Sequence, residues 1–356
     1  MRIVIVGGGP AGATTARYLA QFLGSGRLGK KDEVLLVNYT PSGGKPCGGG
    51  IKTSLFSQFQ IPTDPIITYP MEGVIHFSKS SHFFNSEKGM TPFLIPSQQV
   101  EIALSQKLAI VERSAFDQLL RKLAIESGAK LIEGRVIKGR WEKGKFWIEV
   151  RRGEEREQIW GDILIGADGV NSTIRKKFLG ERIPAITTYF TTLPIPIQNC
   201  HFHFEPIFSD RFYGWVFPNR HGGHFGATSI SYLTRLVEYY SSLSILKPIK
   251  GYNIPRWNGK LLLQKGKLFF VGDGAGQVLP TTFEGIYYAI ASGKLLAEAI
   301  ITGEDYSTKW WKRFGRRFLF FKWLEKRLGG NFRYPILSLF RLKWYRNFVI
   351  QIWNKE

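Results

Sequence analysis

Gly7-x-Gly9-x-x-Gly12 lies between the β-branched run Arg2–Val6 and a segment of helical spacing. That context constrains the fold more than any other feature of the chain. From Ala13 to Phe22 the spacing predicts a helix, with Ala16, Leu19, Ala20 and Leu23 on one side. Glu33 to Val37 reads as a second buried parallel strand. Strand, glycine loop, helix and strand together form a dinucleotide-binding βαβ unit; the glycines alone would be a weak signal. Gly7 permits the tight turn, Gly9 leaves room for a pyrophosphate and Gly12 lets the helix approach the strand. The helix N-terminus offers free N–H groups and a positive dipole end. Gly7, Gly9, Ala11 and Gly12 are therefore the expected phosphate-facing residues. An acidic residue usually closes the second strand and binds ribose hydroxyls, but here the position is Asn38. Its amide can still accept one hydroxyl hydrogen bond, without charge assistance.

Two later motifs narrow the dinucleotide to FAD. Gly166-Ala167-Asp168-Gly169-Val170-Asn171-Ser172-Thr173-Ile174-Arg175 and Val271-Gly272-Asp273-Gly274-Ala275-Gly276 each follow an apolar run. That is where a ligand crevice at strand C-terminal ends requires polar loops. Asp273, next to Gly272, is the expected acceptor for ribityl hydroxyls. Asp168, next to Gly169, is expected to order its own loop near the pyrophosphate. A single Asp-Gly pair is usually a turn; the ordered series is what carries the reading.

Further motifs give the chain a wider resemblance: Lys45-Pro46-Cys47-Gly48-Gly49-Gly50, Arg113-Ser114-Ala115-Phe116-Asp117, Tyr213-Gly214-Trp215-Val216-Phe217-Pro218 and Pro280-Thr281-Thr282-Phe283-Glu284-Gly285-Ile286. Over residues 1 to about 300 the sequence resembles the two-domain FAD proteins related to aromatic hydroxylases, and within them the geranylgeranyl reductase family. It departs from that pattern at Asn38, at Asp210 in place of a frequent proline, and at Phe283 in place of the usual glycine. The last two bear on the substrate.

The resemblance implies FAD-dependent reduction of isoprenoid C=C bonds on membrane lipids, prenyl diphosphates or quinones. Flavin hydride and a proton would be delivered in a dry apolar pocket. It implies a flavin-facing Cys47, with Gly48 and Gly49 letting its loop approach the ring. It also implies an FAD contact from Arg113, and backbone N–H groups at Glu284, Gly285 and Ile286 facing the flavin. Tyr213, Trp215 and Phe217 alternate, so a strand would project all three from one face as a wall for a prenyl chain. Tyr213 is either a proton donor or a shape element. Two alternatives share the motifs: a flavin monooxygenase or halogenase, and a membrane-docked flavin carrier that does not turn over lipid. The halogenase analogue of 213–218 is Trp-x-Trp-x-Ile-Pro, so Tyr213 and Phe217 favour the reductase.

The expected architecture is α/β: a Rossmann-like FAD-binding domain (1–185 with 260–305), an inserted antiparallel-sheet substrate domain (186–259) and a helical, basic C-terminal tail (306–356). Residues 60–105 are expected to contribute to the substrate side. From 40 to 100 the chain reads mainly as a polar, Gly-rich loop. No second Gly-rich βαβ unit provides for a tightly held nicotinamide, which leaves the electron donor unassigned. His201 and His203 share a strand face, but neither they nor His221 and His224 have ligand-spaced cysteine or carboxylate partners, so no metal is expected.

The chain has 356 residues and a net charge of +21. Of that charge, +11 falls in residues 306–356, which hold 13 Lys/Arg, 2 Asp/Glu and 15 aromatic residues. Trp310, Trp311, Phe314, Phe318, Phe321 and Leu328 share one helical arc in 308–328. Cations mixed with indole and phenyl rings suit an anionic membrane surface, and equally a cap packed on the body with a solvated basic face. No nucleic-acid fold signature accompanies the charge. Two cysteines, no apolar run of eighteen residues and a strand starting at Arg2 lead to the expectation of a cytoplasmic protein, peripheral on the inner face of the cell membrane.

Overall fold

A computed structural model describes residues 1–24, 32–39, 45–63, 71–78, 80–84, 93–97, 100–210, 212–241 and 249–354. A six-stranded sheet is built on the Gly-rich unit. Its order is Gln264–Lys265, Leu268–Phe270, Ile163–Gly166, Arg2–Val6, Glu33–Asn38, Lys130–Glu133, and every pairing except the first is parallel. The central strands are buried on both faces, as their unbroken apolar runs require. All three glycine-containing motifs therefore leave the C-terminal ends of neighbouring strands.

The first helix is longer than its apolar spacing indicated. It runs Pro10–Gly24, because a proline in the first turn needs no N–H partner and has its φ already set for a helix. Ala13, Ala16, Leu19 and Ala20 are buried; the side chain of Leu23 lies outside those described. A second long helix, Ile286–Thr302, packs beside it. A Cβ on Gly293 would lie 2.7 Å from the Ala11 carbonyl oxygen, which shows how close the two backbones come.

The second large sheet has eight strands, in the order Lys250–Pro255, Ala185–Leu193, Gly222–Ala227, Gly214–Asn219, Cys200–His203, Met71–Phe77, Val100–Ile110, Gly50–Lys52. All pairings are antiparallel except Cys200–His203 with Met71–Phe77. The expectation of a loop from 40 to 100 is thus corrected: Gly50–Lys52, Met71–Phe77, Ser80–Phe84 and Phe93–Ser97 are strands. Their signal was hidden by Gly, Pro and Ser within and between short runs. Positions 40–44, 64–70, 79, 85–92 and 98–99 lie outside the described residues. A three-stranded sheet, Arg135–Glu142, Lys145–Arg152 and Glu155–Gly161, completes the first half.

The C-terminal segment is a layer of helices: Tyr306–Trp310, a π-turn at Trp311–Gly315, Arg316–Leu328, Arg333–Ser338 and Lys343–Asn354. Trp310, Phe314, Phe318, Phe321 and Leu328 are buried as their arc requires, but Trp311 is 38% exposed. The π-turn inserts one extra residue per turn, and Trp311 falls out of phase. Buried partners tie the layer down. Trp310 Nε1 donates to Ser292 Oγ (2.9 Å), Arg317 Nη1 to Tyr288 Oη (3.2 Å) and Arg333 Nη1 to the Ser209 carbonyl (3.1 Å).

Phe318 is fully buried and stacks edge-on against Trp257, Tyr288 and Trp310. Phe318→Ala should lower the unfolding free energy by about 3–5 kcal/mol in a urea titration. A change under about 1 kcal/mol would mean that the C-terminal layer is not part of the cooperative core.

Candidate active site

Two glycines fix the nucleotide loop. Gly7 has φ +109°, and a Cβ there would lie 2.3 Å from the Ala167 carbonyl oxygen. A Cβ on Gly12 would lie 1.8 Å from the Gly7 carbonyl oxygen. Gly9 behaves differently: a Cβ there would meet nothing within 4 Å. The protein's own packing does not require glycine at 9, so the open space above it is a cradle of the kind a pyrophosphate needs. Residues from all three motifs line the same cavity, of about 1220 Å³. That exceeds the roughly 300–1,000 Å³ of ordinary ligand pockets, so a dinucleotide would leave room for a second molecule.

The place of the missing acid is explained by what Asn38 does. It is buried, and its Oδ1 accepts the Gly8 N–H at 3.0 Å. Arg121 Nη1 donates to the Gly8 carbonyl at 3.1 Å. The amide and the guanidinium clamp the glycine loop between them. Asp168 accepts from Ser172 Oγ (2.5 Å) and from the Ile174 N–H (3.0 Å), which places it as an organiser of its own loop. Burial raises its pKa, against those hydrogen bonds.

Asp273 forms an ion pair with Lys45, which sequence reasoning did not single out. Burial works against the Lys45 charge, but Asp273 prevails and the ammonium pKa rises. Arg113 is buried at the start of the helix Arg113–Glu126 and holds Asp117 through Nε (3.3 Å) and Nη2 (3.1 Å). It lines the cavity wall beside Cys47.

Cys47 faces the cavity from an extended loop, and the Gly49 N–H points to its sulfur at 3.4 Å. The loop lies against the aromatic wall: a Cβ on Gly48 would be 2.8 Å from Phe217 Cδ2. Tyr213, Trp215 and Phe217 all line the cavity, as their alternation requires. Trp215 lies flat over the neighbouring strand, where a Cβ on Gly226 would fall 1.9 Å from Trp215 Cζ2. Tyr213 Oη donates to the Thr282 carbonyl at 2.5 Å, and burial, then Glu284, raises its pKa far above the ordinary phenol value. Its proton is held at that carbonyl.

Gly285 caps the helix Ile286–Thr302, whose first turn opens on the cavity. The preceding loop is strained. Thr281 and Phe283 have φ of +73° and +55°, a region L side chains avoid at a cost of about 1–3 kcal/mol each. Thr281 Oγ1 donates to the Phe321 carbonyl (2.9 Å), and the Phe283 ring packs on Phe212 (centroids 4.7 Å apart) and Tyr213 (5.8 Å). The backbone keeps the conformation that a glycine would favour and carries a phenyl ring into the cavity.

The histidines sit elsewhere, except for His224, which lines the cavity. The structure adds His76, Glu205 and Tyr240 to the pair found in the sequence. Glu205 Oε2 lies 3.1 Å from His203 Nδ1, Tyr240 Oη 2.8 Å from His203 Nε2, His201 Nδ1 2.8 Å from His76 Nε2, and Glu101 Oε1 3.2 Å from His76 Nδ1. Both nitrogens of His203 belong to a buried hydrogen-bond chain, with the His76 ring stacked on it at 4.2 Å. His76 escaped notice because Met71–Phe77 was not legible as a strand of this sheet, whereas Glu205 stands two residues from His203 and corrects the expectation that no carboxylate lies at ligand spacing: His76, His203 and Glu205 bring their ligand atoms within 4.8 Å of one another.

The comparisons bear on this site. No family model matches the chain. Geranylgeranyl diphosphate reductase of Rhodobacter capsulatus is 30% identical over 319 residues, which cover 83% of this chain and 73% of that protein. The chain belongs to the geranylgeranyl reductase family. A geranylgeranyl bacteriochlorophyll reductase-like protein from Thermoplasma acidophilum superposes with a TM-score of 0.77 at 22% identity, covering 98% of this chain and 95% of that one. The flavin-dependent brominase Bmp2 shares the fold at a TM-score of 0.63 and 14% identity, over the whole of both chains. As a member of this family the chain is a flavin oxidoreductase.

Two outcomes are expected at the site. Phe283→Gly should melt higher than Phe283→Ala, the reverse of the usual order, by about 1 kcal/mol, because only glycine relieves the positive φ. An alanine variant at least as stable as the glycine one would show that the loop stores no strain. Burial, then His203 and His201, pushes His76 down to about 2; burial, then His203, pushes His201 down to about 4; burial alone takes His224 to about 4. The unfolded chain therefore takes up protons first as pH falls below about 6.5, and stability should be lost from there down through pH 4. The melting temperature of His201→Gln should fall less steeply over that window; a slope equal to wild type would contradict the assignment.

Proposed function

We propose that this protein is an FAD-dependent reductase of isoprenoid C=C bonds, acting on geranylgeranyl groups of membrane lipids, prenyl diphosphates or quinones. One observation carries the reading. The dinucleotide loop, the Cys47 loop and the Tyr213-Trp215-Phe217 wall open on one cavity, which continues between apolar side chains such as Leu324, Leu328, Phe340 and Val349. Gly7, Gly9, Ala11, Gly12, Asn38 and the 168–169 and 272–273 loops would hold FAD, with Arg113, Gly285 and Ile286 along its length. Bound FAD, once reduced by an external donor, supplies a hydride.

The chain's own residues do the rest. The apolar wall excludes water, so that positive charge developing on a tertiary carbon meets ring faces rather than solvent. Tyr213 holds the Thr282 turn and shapes the wall, since its proton is committed. Cys47 Sγ faces the cavity beside the aromatic wall, and we infer that it delivers the proton that accompanies the hydride. The basic, aromatic C-terminal segment keeps the protein on an anionic membrane surface.

Flavin reduced anaerobically with dithionite should be reoxidised on addition of a geranylgeranyl lipid or diphosphate. Reoxidation only by oxygen with an aromatic substrate would replace the reductase with a monooxygenase or halogenase; reoxidation by neither would leave a flavin carrier. Cys47→Ser should retain near-normal FAD content and reoxidise at least tenfold more slowly. Unchanged turnover would remove Cys47 from the chemistry.

A further inference from the structure

The helices at the C-terminal end have two used faces. On the inside, Phe321, Leu324, Leu328, Phe340, Val349 and Trp353 line the cavity. On the outside, large apolar side chains are exposed: Trp323 (51%), Phe332 (56%), Trp344 (65%) and Phe348 (48%). The outer side chains adjoin one another. Phe320 bridges Trp323 (6.1 Å between centroids) and Phe348 (6.5 Å), and the Arg327 guanidinium lies over both Trp323 (5.6 Å) and Phe332 (5.3 Å). In Lys343–Asn354 the division follows helical spacing: Trp344 and Phe348 face outward, Val349 and Trp353 inward. One layer of helices therefore separates the outer patch from the cavity.

Resting on the reductase reading, we propose that this layer, residues 316–354, is the portal through which a prenyl lipid passes from an anionic bilayer into the cavity. Charge selects the bilayer over other occupants. The segment from 306 holds 13 Lys/Arg and 2 Asp/Glu, and the acid in the layer, Glu325, is buried against Arg256 and Lys322. The outer face therefore offers cations and rings, the pairing that suits headgroup phosphates above acyl chains. The layer is anchored at one end, where Arg333 holds the Ser209 and Phe212 carbonyls (both 3.1 Å). It is latched at the other. Trp353 Nε1 donates to Glu284 Oε2 (2.6 Å), and Lys52 Nζ donates to the Trp353 carbonyl (2.7 Å) and lies 3.4 Å from Glu284 Oε1. Glu284 belongs to the strained loop at the cavity, so the latch joins the portal to the site.

The test uses the full-length, flavin-loaded protein and vesicles of phosphatidylglycerol or phosphatidylcholine. Wild type should sediment with the anionic vesicles at low salt and be released as salt rises; sedimentation with neither kind, or equally with both, overturns the anionic-lipid assignment. Trp344→Ser with Phe348→Ser should keep its flavin content and melting temperature and bind anionic vesicles at least tenfold more weakly. Wild-type binding by this variant overturns the surface. A geranylgeranyl lipid is then presented in those vesicles or in detergent micelles, with reoxidation of pre-reduced flavin as the readout. The variant should be slowed about tenfold in vesicles and unchanged in micelles; equal rates in vesicles, or equal loss in both, overturns the portal. Trp353→Phe, which keeps an apolar ring and removes the hydrogen bond to Glu284, should quicken vesicle delivery, and an unchanged or slower rate removes the latch. If wild type is reoxidised in neither format, the reductase reading falls, and the surface is judged on sedimentation alone.

Discussion

The Gly7 carbonyl oxygen stands where a Cβ on residue 12 would have to go, 1.8 Å from it. Most of the site depends on that contact. It sets the helix Pro10–Gly24 against the central strand, and that helix in turn receives Ile286–Thr302 at the close approach of Gly293 to Ala11. The position of the second helix fixes its N-terminus, and with it the turn from Thr281 to Gly285. The Tyr213 hydroxyl and the Phe321 carbonyl grip that turn from the eight-stranded sheet and the C-terminal layer. A backbone-to-backbone contact in the first turn of the first helix thus registers three layers against one another. No side-chain adjustment can stand in for it, because neither partner is a side chain.

What the sequence made legible follows from how local the signal is. The glycine loop, both Asp-Gly motifs and the alternation of Tyr213, Trp215 and Phe217 are read within a dozen residues, and each is tied to backbone geometry. The fold class followed from them. The strands between 50 and 110 were not legible. They are short, interrupted by Gly and Pro, and one pairs in parallel with Cys200–His203, more than a hundred residues away. His76 was lost with them. Lys45 was in view as part of a motif, but its pairing with Asp273 is made across 228 residues, and no local pattern encodes that. The π-turn at Trp311–Gly315 is a further case: an ideal helical projection assigns Trp311 to the core, and one inserted residue removes it.

The departures from the family pattern have structural counterparts. Asn38 gives its carbonyl to the Gly8 N–H, a bond that a neutral amide makes without placing a buried negative charge beside the loop. Asp210 lies in the turn that Arg333 grips, and its charge favours the Arg333 cation, whose pKa burial depresses to about 10. Phe283 retains a glycine-like backbone and is held there by rings on the sheet side. Asn38 is matched within its own sheet, whereas Asp210 and Phe283 are matched by groups from a different layer, and the layers concerned bound the apolar part of the cavity.

The C-terminal layer accounts for the odd charge of the chain. As a plain cap it would need an apolar inner face and a polar outer one, and helices of this length manage that with few exposed rings. Here the outer face keeps Trp323, Phe332, Trp344 and Phe348 in addition to its cations, while the inner face is already satisfied by the cavity and by Trp257 and Tyr288. Exposed rings joined into one patch lower solubility unless something covers them. Among the described residues no helix is long and apolar enough to cross a membrane, so cover by insertion through the bilayer is not what these helices are built for. Cover by lying on it, as proposed above, would reconcile the two readings of the tail: the same rings and cations that cap the body on one side would meet the headgroups on the other.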